Sequence, residues 1–289
     1  MFLVQVAILA VVQGVAELLP VSSSAHVVVA EKLMGLDPSS PEMTLVLVML
    51  HAGTMLAVIW YFWTAWRRTF FHSQATFRRS ALLLVLATGV TGIVGEALIK
   101  IIEATWFHGA PDAEIEQLFS HLELIAPALA LAGVLLITAG LLDQRRSRSG
   151  AQAPAGLGVK QALLVGAVQA FCLPFRGFSR SGATISAAML AGVTKMRAEE
   201  FSFALAVILT PPVIVREVLR LVKAQHLNGA SRLASAMMPG ILGALCAFLA
   251  GSLALTWLSR WLESGRWHWF GVYCLIAAGA IAILSHAGY

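Results

Sequence analysis

Long apolar runs separated by short polar stretches set the pattern of this 289-residue chain. Six runs are continuous enough to cross about 30 Å of hydrocarbon as helices: Thr44–Trp63, Ala81–Ile99, Leu124–Leu142, Phe203–Val215 with its continuation, Ala236–Leu258 and Trp267–Leu284. Two further apolar segments, Val4–Leu19 and Val159–Leu173, are too short to cross. Each runs into a proline, then a hydroxyl-rich stretch, then more apolar sequence, which predicts a broken, re-entrant hairpin. Irregular backbone at membrane depth survives only where protein or a water-filled cavity satisfies its polar groups, so each break is expected to line a cavity. The expected fold class is an all-α integral membrane protein with about six transmembrane helices and two re-entrant helix hairpins.

The two breaks resemble each other. Val12-Gln13-Gly14 leads to Pro20 and Ser22-Ser23-Ser24, and Val168-Gln169-Ala170 leads to Pro174 and Ser179-Arg180-Ser181. Three spanning helices follow each break, and an odd number of spans inverts the second copy against the first, the arrangement of inverted repeats that meet near the midplane. The expected organisation is a first repeat over 1–143, a cytoplasmic linker over 144–158 and a second repeat over 159–289.

Charge refines the topology. Arg67, Arg68, Arg78 and Arg79 fill one predicted loop and Arg145, Arg146, Arg148 and Lys160 another, whereas Glu103, Asp112, Glu114 and Glu116 fill the loop between. The basic loops should be cytoplasmic. The same count carried forward puts Arg216, Arg220, Lys223 and Arg232 outside, against the rule and offset only slightly by Glu217.

Composition agrees with lipid as the solvent. Hydrophobic residues make up 58% of the chain and charged ones 12%, against about 25% charged in soluble domains. The excess of 20 Lys and Arg over 15 Asp and Glu would suggest nucleic acid on a soluble protein. Here it lies in short loops, so the expected surroundings are membrane lipids, with no nucleic-acid partner. Cys172, Cys246 and Cys274 sit in apolar stretches without metal or disulfide spacing and read as packing residues. The N-terminal run lacks a basic region and carries Gln5, Gln13 and Glu17, so it reads as part of the mature fold rather than a signal peptide.

Two clusters carry chemistry. In the first, Gln13 and Glu17 lie four apart on one helical face, followed by Pro20, Ser22, Ser23, Ser24 and His26. A carboxylate inside a membrane segment marks a functional site by default, although a helix-end position or a hidden arginine also explains one. Serine after proline is ordinarily a turn with an N-cap, yet three hydroxyls exceed that need. A helix starting at the serines would place His26 one turn on, close enough to exchange a proton with a hydroxyl. The second cluster reads Arg176-Gly177-Phe178-Ser179-Arg180-Ser181-Gly182-Ala183-Thr184. Free amides and the positive end of a helix attract an anion, and Arg180 can bind phosphate oxygens in a fork, so this is a candidate phosphate cradle. Because Arg180 lies in an apolar segment, Glu17 or a ligand must compensate it, and the ligand is the favoured reading.

The stretches QGVAELLPVSSSAH and RGFSRSGATIS closely resemble the signature motifs of the undecaprenyl-diphosphatase family, the bacitracin-resistance membrane phosphatases, and LHAGTMLAVIWYF and EFSFALAV extend the likeness over most of the chain. The resemblance implies hydrolysis of the C55 polyprenyl diphosphate to the monophosphate carrier and inorganic phosphate, recycling the carrier for peptidoglycan synthesis. It also implies a bacterial inner-membrane location, an active site open to the periplasm, and an interlocked inverted-repeat fold. Gln13, Glu17, Pro20 to Ser23 and His26 match the first family motif, and Gly177, Ser179, Arg180, Ser181 and Thr184 match the second. Arg176 stands where proline is usual, and Gln13 where a second Glu is common.

The expected catalytic residues are therefore Glu17, Ser23, His26 and Arg180, with Gln13, Ser22, Ser24, Gly177, Ser179, Ser181 and Thr184 binding substrate. In this scheme Ser23 attacks the terminal phosphorus, His26 or Glu17 takes its proton, and Arg180 with the neighbouring amides holds the developing charge. Direct attack by water activated by Glu17 and His26 is the alternative. The resemblance also implies a divalent cation, Mg²⁺ or Ca²⁺, with Glu17 as its acidic ligand, and no organic cofactor; a homodimer is left open. An anion or lipid-phosphate transporter competes, since inverted repeats with broken helices are its usual architecture. The other lipid phosphatase superfamily lacks its Pro-Ser-Gly-His signature here, and a purely structural protein has no reason to collect Glu17, His26 and Arg180 at two breaks.

Overall fold

The computed structural model describes residues 2–106, 118, 119, 121–149, 156–225, 230–262 and 266–288, and the side chains of these except at 224, 225, 230–236 and 257–262. Among the described residues the chain forms helices α1 (Phe2–Ala16), α2 (Ser23–Leu33), α3 (Pro41–Thr69), α4 (Gln74–Trp106), α5 (Leu122–Arg148), α6 (Val159–Phe171), α7 (Arg180–Leu190), α8 (Lys195–Gln225), α9 (Ala230–Leu262) and α10 (Trp267–His286). Six are long and apolar enough to span a bilayer: α3, α4, α5, α8, α9 and α10. Ile93, Leu253 and Ile283 are each more than two-thirds exposed, at 75%, 71% and 71%, a cost in water and none in lipid.

The helices run past the apolar stretches at both ends, which corrects the predicted loops. Arg67 and Arg68 close the last turn of α3, and Arg78 and Arg79 lie in the first turns of α4, leaving only 70–73 between. Long cationic side chains keep their stems on the helix and their heads in the interface, and they favour a helix C-terminus. Glu103 likewise belongs to α4. Asp112, Glu114 and Glu116, linker positions 150–155 and the side chain of Arg232 lie outside the described residues. At its start α3 is stopped by local chemistry: the Ser40 hydroxyl accepts from the Met43 amide at 3.3 Å, and Pro41 takes the first helical position. Arg220, unexpected on its side of the membrane, donates to Thr44 Oγ1 at 3.2 Å and pairs with Glu217 at 3.7 Å. It is thus packed against the start of α3.

The two halves of the chain interleave. Helix α1 lies on α9, and α6 lies on α4; α3 packs along α9 and α8, and α5 along α10. Small residues permit the close crossings. A Cβ at Gly53 of α3 would stand 2.0 Å from the Ala244 carbonyl oxygen of α9, and one at Gly14 of α1 would meet Ala250 at 2.6 Å. Without water-driven collapse, membrane helices depend on such close backbone packing. Between α2 and α7 the two irregular stretches, 17–22 and 172–179, come together inside the bundle.

Candidate active site

Glu17, just past the end of α1 and 4% exposed, is the centre of a polar cluster. One carboxylate oxygen, Oε2, accepts from Gln13 Nε2 at 2.8 Å and from Ser23 Oγ, and lies 3.4 Å from His51 Nε2. The other, Oε1, accepts from Arg180 Nη2. The four-residue spacing of Gln13 and Glu17 produces one contact, and the α1 break returns the chain so that Ser23, at the start of α2, faces the same carboxylate. Arg180, opening α7, crosses from the other half. Buried charge is tolerated when it is paired and hydrogen-bonded, and here both conditions hold. Of the two expected partners of Arg180, the one the structure shows is Glu17.

Ser22 holds the turn. It is the one non-glycine residue with positive φ among the described residues, at 64°, a conformation costing about 1 kcal/mol or more. Its surroundings over-determine it. The Ser22 amide donates to Ser179 Oγ at 3.2 Å, its hydroxyl donates to the Arg176 carbonyl at 2.8 Å, and its own carbonyl accepts from His26 Nδ1 at 2.8 Å. Ser24 Oγ donates to the same Arg176 carbonyl at 2.6 Å. The residue that departs from the family's proline thus joins the serine turn through its backbone, while its guanidinium lies 3.8 Å over the Phe119 ring.

Several expected residues are placed elsewhere. His26 does not reach a serine hydroxyl: its Nδ1 is committed to the Ser22 carbonyl and its Nε2 to Tyr273 Oη. The helix does start at Ser23, but the i to i+4 geometry points the ring at the backbone of the preceding turn. Ser179 caps α7, accepting from the Gly182 amide at 3.2 Å. Thr184 is fully buried, bonding the Arg180 carbonyl at 2.7 Å and Ser202 Oγ at 2.6 Å, away from Glu17. Gly177 packs on α5, where a Cβ would stand 2.1 Å from the Ile125 carbonyl oxygen. Ser181 lines a separate cavity of about 610 Å³ with Pro20, Lys195 and Trp267.

Sequence reasoning passed over His51. Its Nδ1 donates to the Leu47 carbonyl at 2.8 Å, leaving Nε2 directed at Glu17. The signal was present: apart from Tyr61 it is the lone titratable side chain between Glu42 and Arg67 in a spanning helix, a position that is functional by default.

The arrangement joins a hydroxyl hydrogen-bonded to a carboxylate, an arginine, and the N-termini of two helices, which suits phosphoryl transfer. Comparison with known proteins agrees. The model of the family described as bacitracin resistance protein BacA matches residues 6–280. The chain is 54% identical over 288 residues to undecaprenyl-diphosphatase 2 of Acinetobacter baylyi, covering 99% of both chains. It is 38% identical to undecaprenyl-diphosphatase 2 of Burkholderia orbicola and 37% identical to undecaprenyl-diphosphatase 1 of Burkholderia pseudomallei, covering 93% of this chain and 92% of each relative. With residues 6–280 matched by the family model and relatives aligned over nearly its whole length, the chain belongs to the bacitracin resistance protein BacA family.

Proposed function

We propose that this protein is an undecaprenyl-diphosphate phosphatase, with Ser23 as the nucleophile and Glu17 as its proton acceptor. The observation that carries the reading is the buried Ser23 hydroxyl donating to a Glu17 carboxylate that Arg180 holds from the other half of the chain. Ser23 Oγ forms a bond to the terminal phosphorus as the anhydride bond to the lipid phosphate breaks, and the hydroxyl proton passes to Glu17. Water then forms the next bond to phosphorus, the bond to Ser23 Oγ breaks, inorganic phosphate leaves, and Ser23 regains a proton. Arg180, moving from Glu17 to the phosphoryl oxygens, and the amides at the start of α7 offset the developing charge. His26 acts on the Ser22 backbone rather than on the Ser23 proton in this scheme.

An apolar groove of about 550 Å³, with Phe175, Phe178, Leu124 and Pro127 among its lining, runs from the irregular stretch 172–179 along α5. It matches the chemistry of a polyprenyl chain. Leu124 lies at the end of α5 opposite the arginines 145, 146 and 148, which the positive-inside rule makes periplasmic. This supports an inner-membrane protein whose site faces the periplasm.

A divalent cation fits the site only in part. Among the described residues no three His, Cys, Asp or Glu side chains gather as a metal-binding group. Gln13 Oε1, however, is buried beside Glu17 and has no hydrogen-bond partner among the described residues. Glu17 and that oxygen would hold Mg²⁺ or Ca²⁺ together with the diphosphate. The cation would neutralise phosphate charge.

The transporter alternative is set aside by family membership: the relatives carry the name of a diphosphatase. The test is phosphate release from undecaprenyl diphosphate by the purified protein, with and without Mg²⁺ or Ca²⁺. Release supports the reading, and none by well-folded protein under any of these conditions overturns it.

A further inference from the structure

Two consecutive residues of α10 grip both ends of the serine turn. Tyr273 Oη lies 2.7 Å from His26 Nε2, and the two rings stack with centroids 5.7 Å apart and planes 10° from parallel. Cys274, next in sequence, directs its thiol at the Pro20 carbonyl at 3.6 Å. Pro20 and His26 bracket Ser22, Ser23 and Ser24, so the turn is held from a helix 247 residues further along the chain.

The partners fix the proton positions. His26 Nδ1 faces the Ser22 carbonyl, which only accepts, so Nδ1 carries the proton; in a neutral ring Nε2 is then bare, and the tyrosine hydroxyl must be the donor. The contact sits in the wall of a groove lined by Val15, Leu19, Trp269, Phe270 and Arg266, with Tyr273 itself 45% exposed.

We propose that Tyr273 is a positioning residue of the reaction site, its hydroxyl fixing the orientation of the His26 ring that directs Nδ1–H at the Ser22 carbonyl, so that His26 keeps the left-handed Ser22 in place and Ser23 aimed at Glu17. This rests on the reading of Ser23 as nucleophile and Glu17 as proton acceptor. Tyr273→Phe keeps the ring and the stack but removes the donor. His26 then loses the anchor at Nε2 and its ring is free to turn away from the Ser22 carbonyl, and Ser22, strained and partly released, no longer fixes its neighbour.

The test pairs spectroscopy with kinetics. The ¹⁵N spectrum of histidine-labelled protein in detergent, with the His26 signal identified by its loss in His26→Gln, should show the wild-type ring protonated at Nδ1. In Tyr273→Phe the His26 Nε2 signal should shift as its donor is lost and the ring signals broaden as the ring turns, with kcat for phosphate release lowered about three- to tenfold, the value of one hydrogen bond. KM should stay within about twofold, because positioning acts on the chemical step rather than on uniform binding. A wild-type His26 protonated at Nε2 overturns the proposal without any variant. So does an unchanged kcat in folded Tyr273→Phe while wild type hydrolyses its substrate. Failure of wild-type hydrolysis, seen separately, overturns the phosphatase reading and the proposal with it.

Discussion

Arg180 reaches Glu17 across 163 positions of sequence, so that the guanidinium of the second hairpin neutralises the carboxylate of the first. The pair joins the two broken hairpins and holds the carboxylate against the Ser23 hydroxyl at once. Breaking one partner leaves the other buried and uncompensated, which costs about 3–5 kcal/mol. Arg180→Gln should therefore lower the melting temperature in detergent, and Glu17→Gln added to it should restore part of the loss. Neither variant should hydrolyse substrate at an appreciable rate. Equal stabilities for the single and double variants would show that the pair is not coupled.

His51 should matter through its Nε2. It approaches the same Glu17 oxygen that accepts from Ser23, and with Nδ1 donating to Leu47 it donates to that oxygen only as the imidazolium, so His51→Ala should reduce kcat about tenfold, while His51→Gln, whose amide N–H replaces that donor, should stay within about threefold. Steady-state kinetics of the two variants checks this. Equal losses in both would assign His51 to packing.

Arg176→Pro restores the residue usual in the family motif and keeps the carbonyl that accepts from Ser22 and Ser24. Activity should remain within about threefold of wild type, since the stack of the guanidinium on Phe119 and its attraction to Glu31 are among the interactions removed and neither is made to Ser23 or Glu17. A loss of activity as deep as that of Glu17→Gln would mean that the guanidinium itself acts on the substrate.

Glu31, on α2 and outside the six spanning helices, is fully buried, and neither carboxylate oxygen has a hydrogen-bond partner among the described residues. Burial pushes its carboxyl up to about 7, with Arg176 pulling it down and Asp37 adding to the rise. A carboxyl raised in the folded state takes up a proton on folding. The penalty is full above about pH 7 and fades as the pH falls towards the ordinary value near 4.5. Glu31→Gln should melt higher than wild type at about pH 8.5 and nearly level with it at about pH 5. A constant difference across that range would contradict the assignment.

Much of the fold follows from local physics. The six spans were legible because lipid demands long uninterrupted apolar runs, and the broken hairpins because proline followed by hydroxyls cannot continue a helix at that depth. Helix ends were less legible, since Arg67, Arg68, Arg78 and Arg79 read as loop residues while their long side chains allow them to stay helical. In the site, Gln13, Glu17, Ser23 and Arg180 were found by residue type and spacing. The contacts made by backbone were not: the Arg176 carbonyl that fastens Ser22 and Ser24, and the Ser22 carbonyl that captures His26, leave no trace in side-chain chemistry. His51 was hidden by the apolar run around it, and Tyr273 by its distance along the chain.

Phosphate release from undecaprenyl diphosphate by folded wild type, Ser23→Ala and Glu17→Gln, compared under identical detergent and cation conditions, tests the central claim most directly. The account predicts release by wild type and a fall of about 10²-fold or more in both variants, as loss of a nucleophile or its proton acceptor requires. Release by Ser23→Ala at the wild-type rate would contradict it and assign the attack to water.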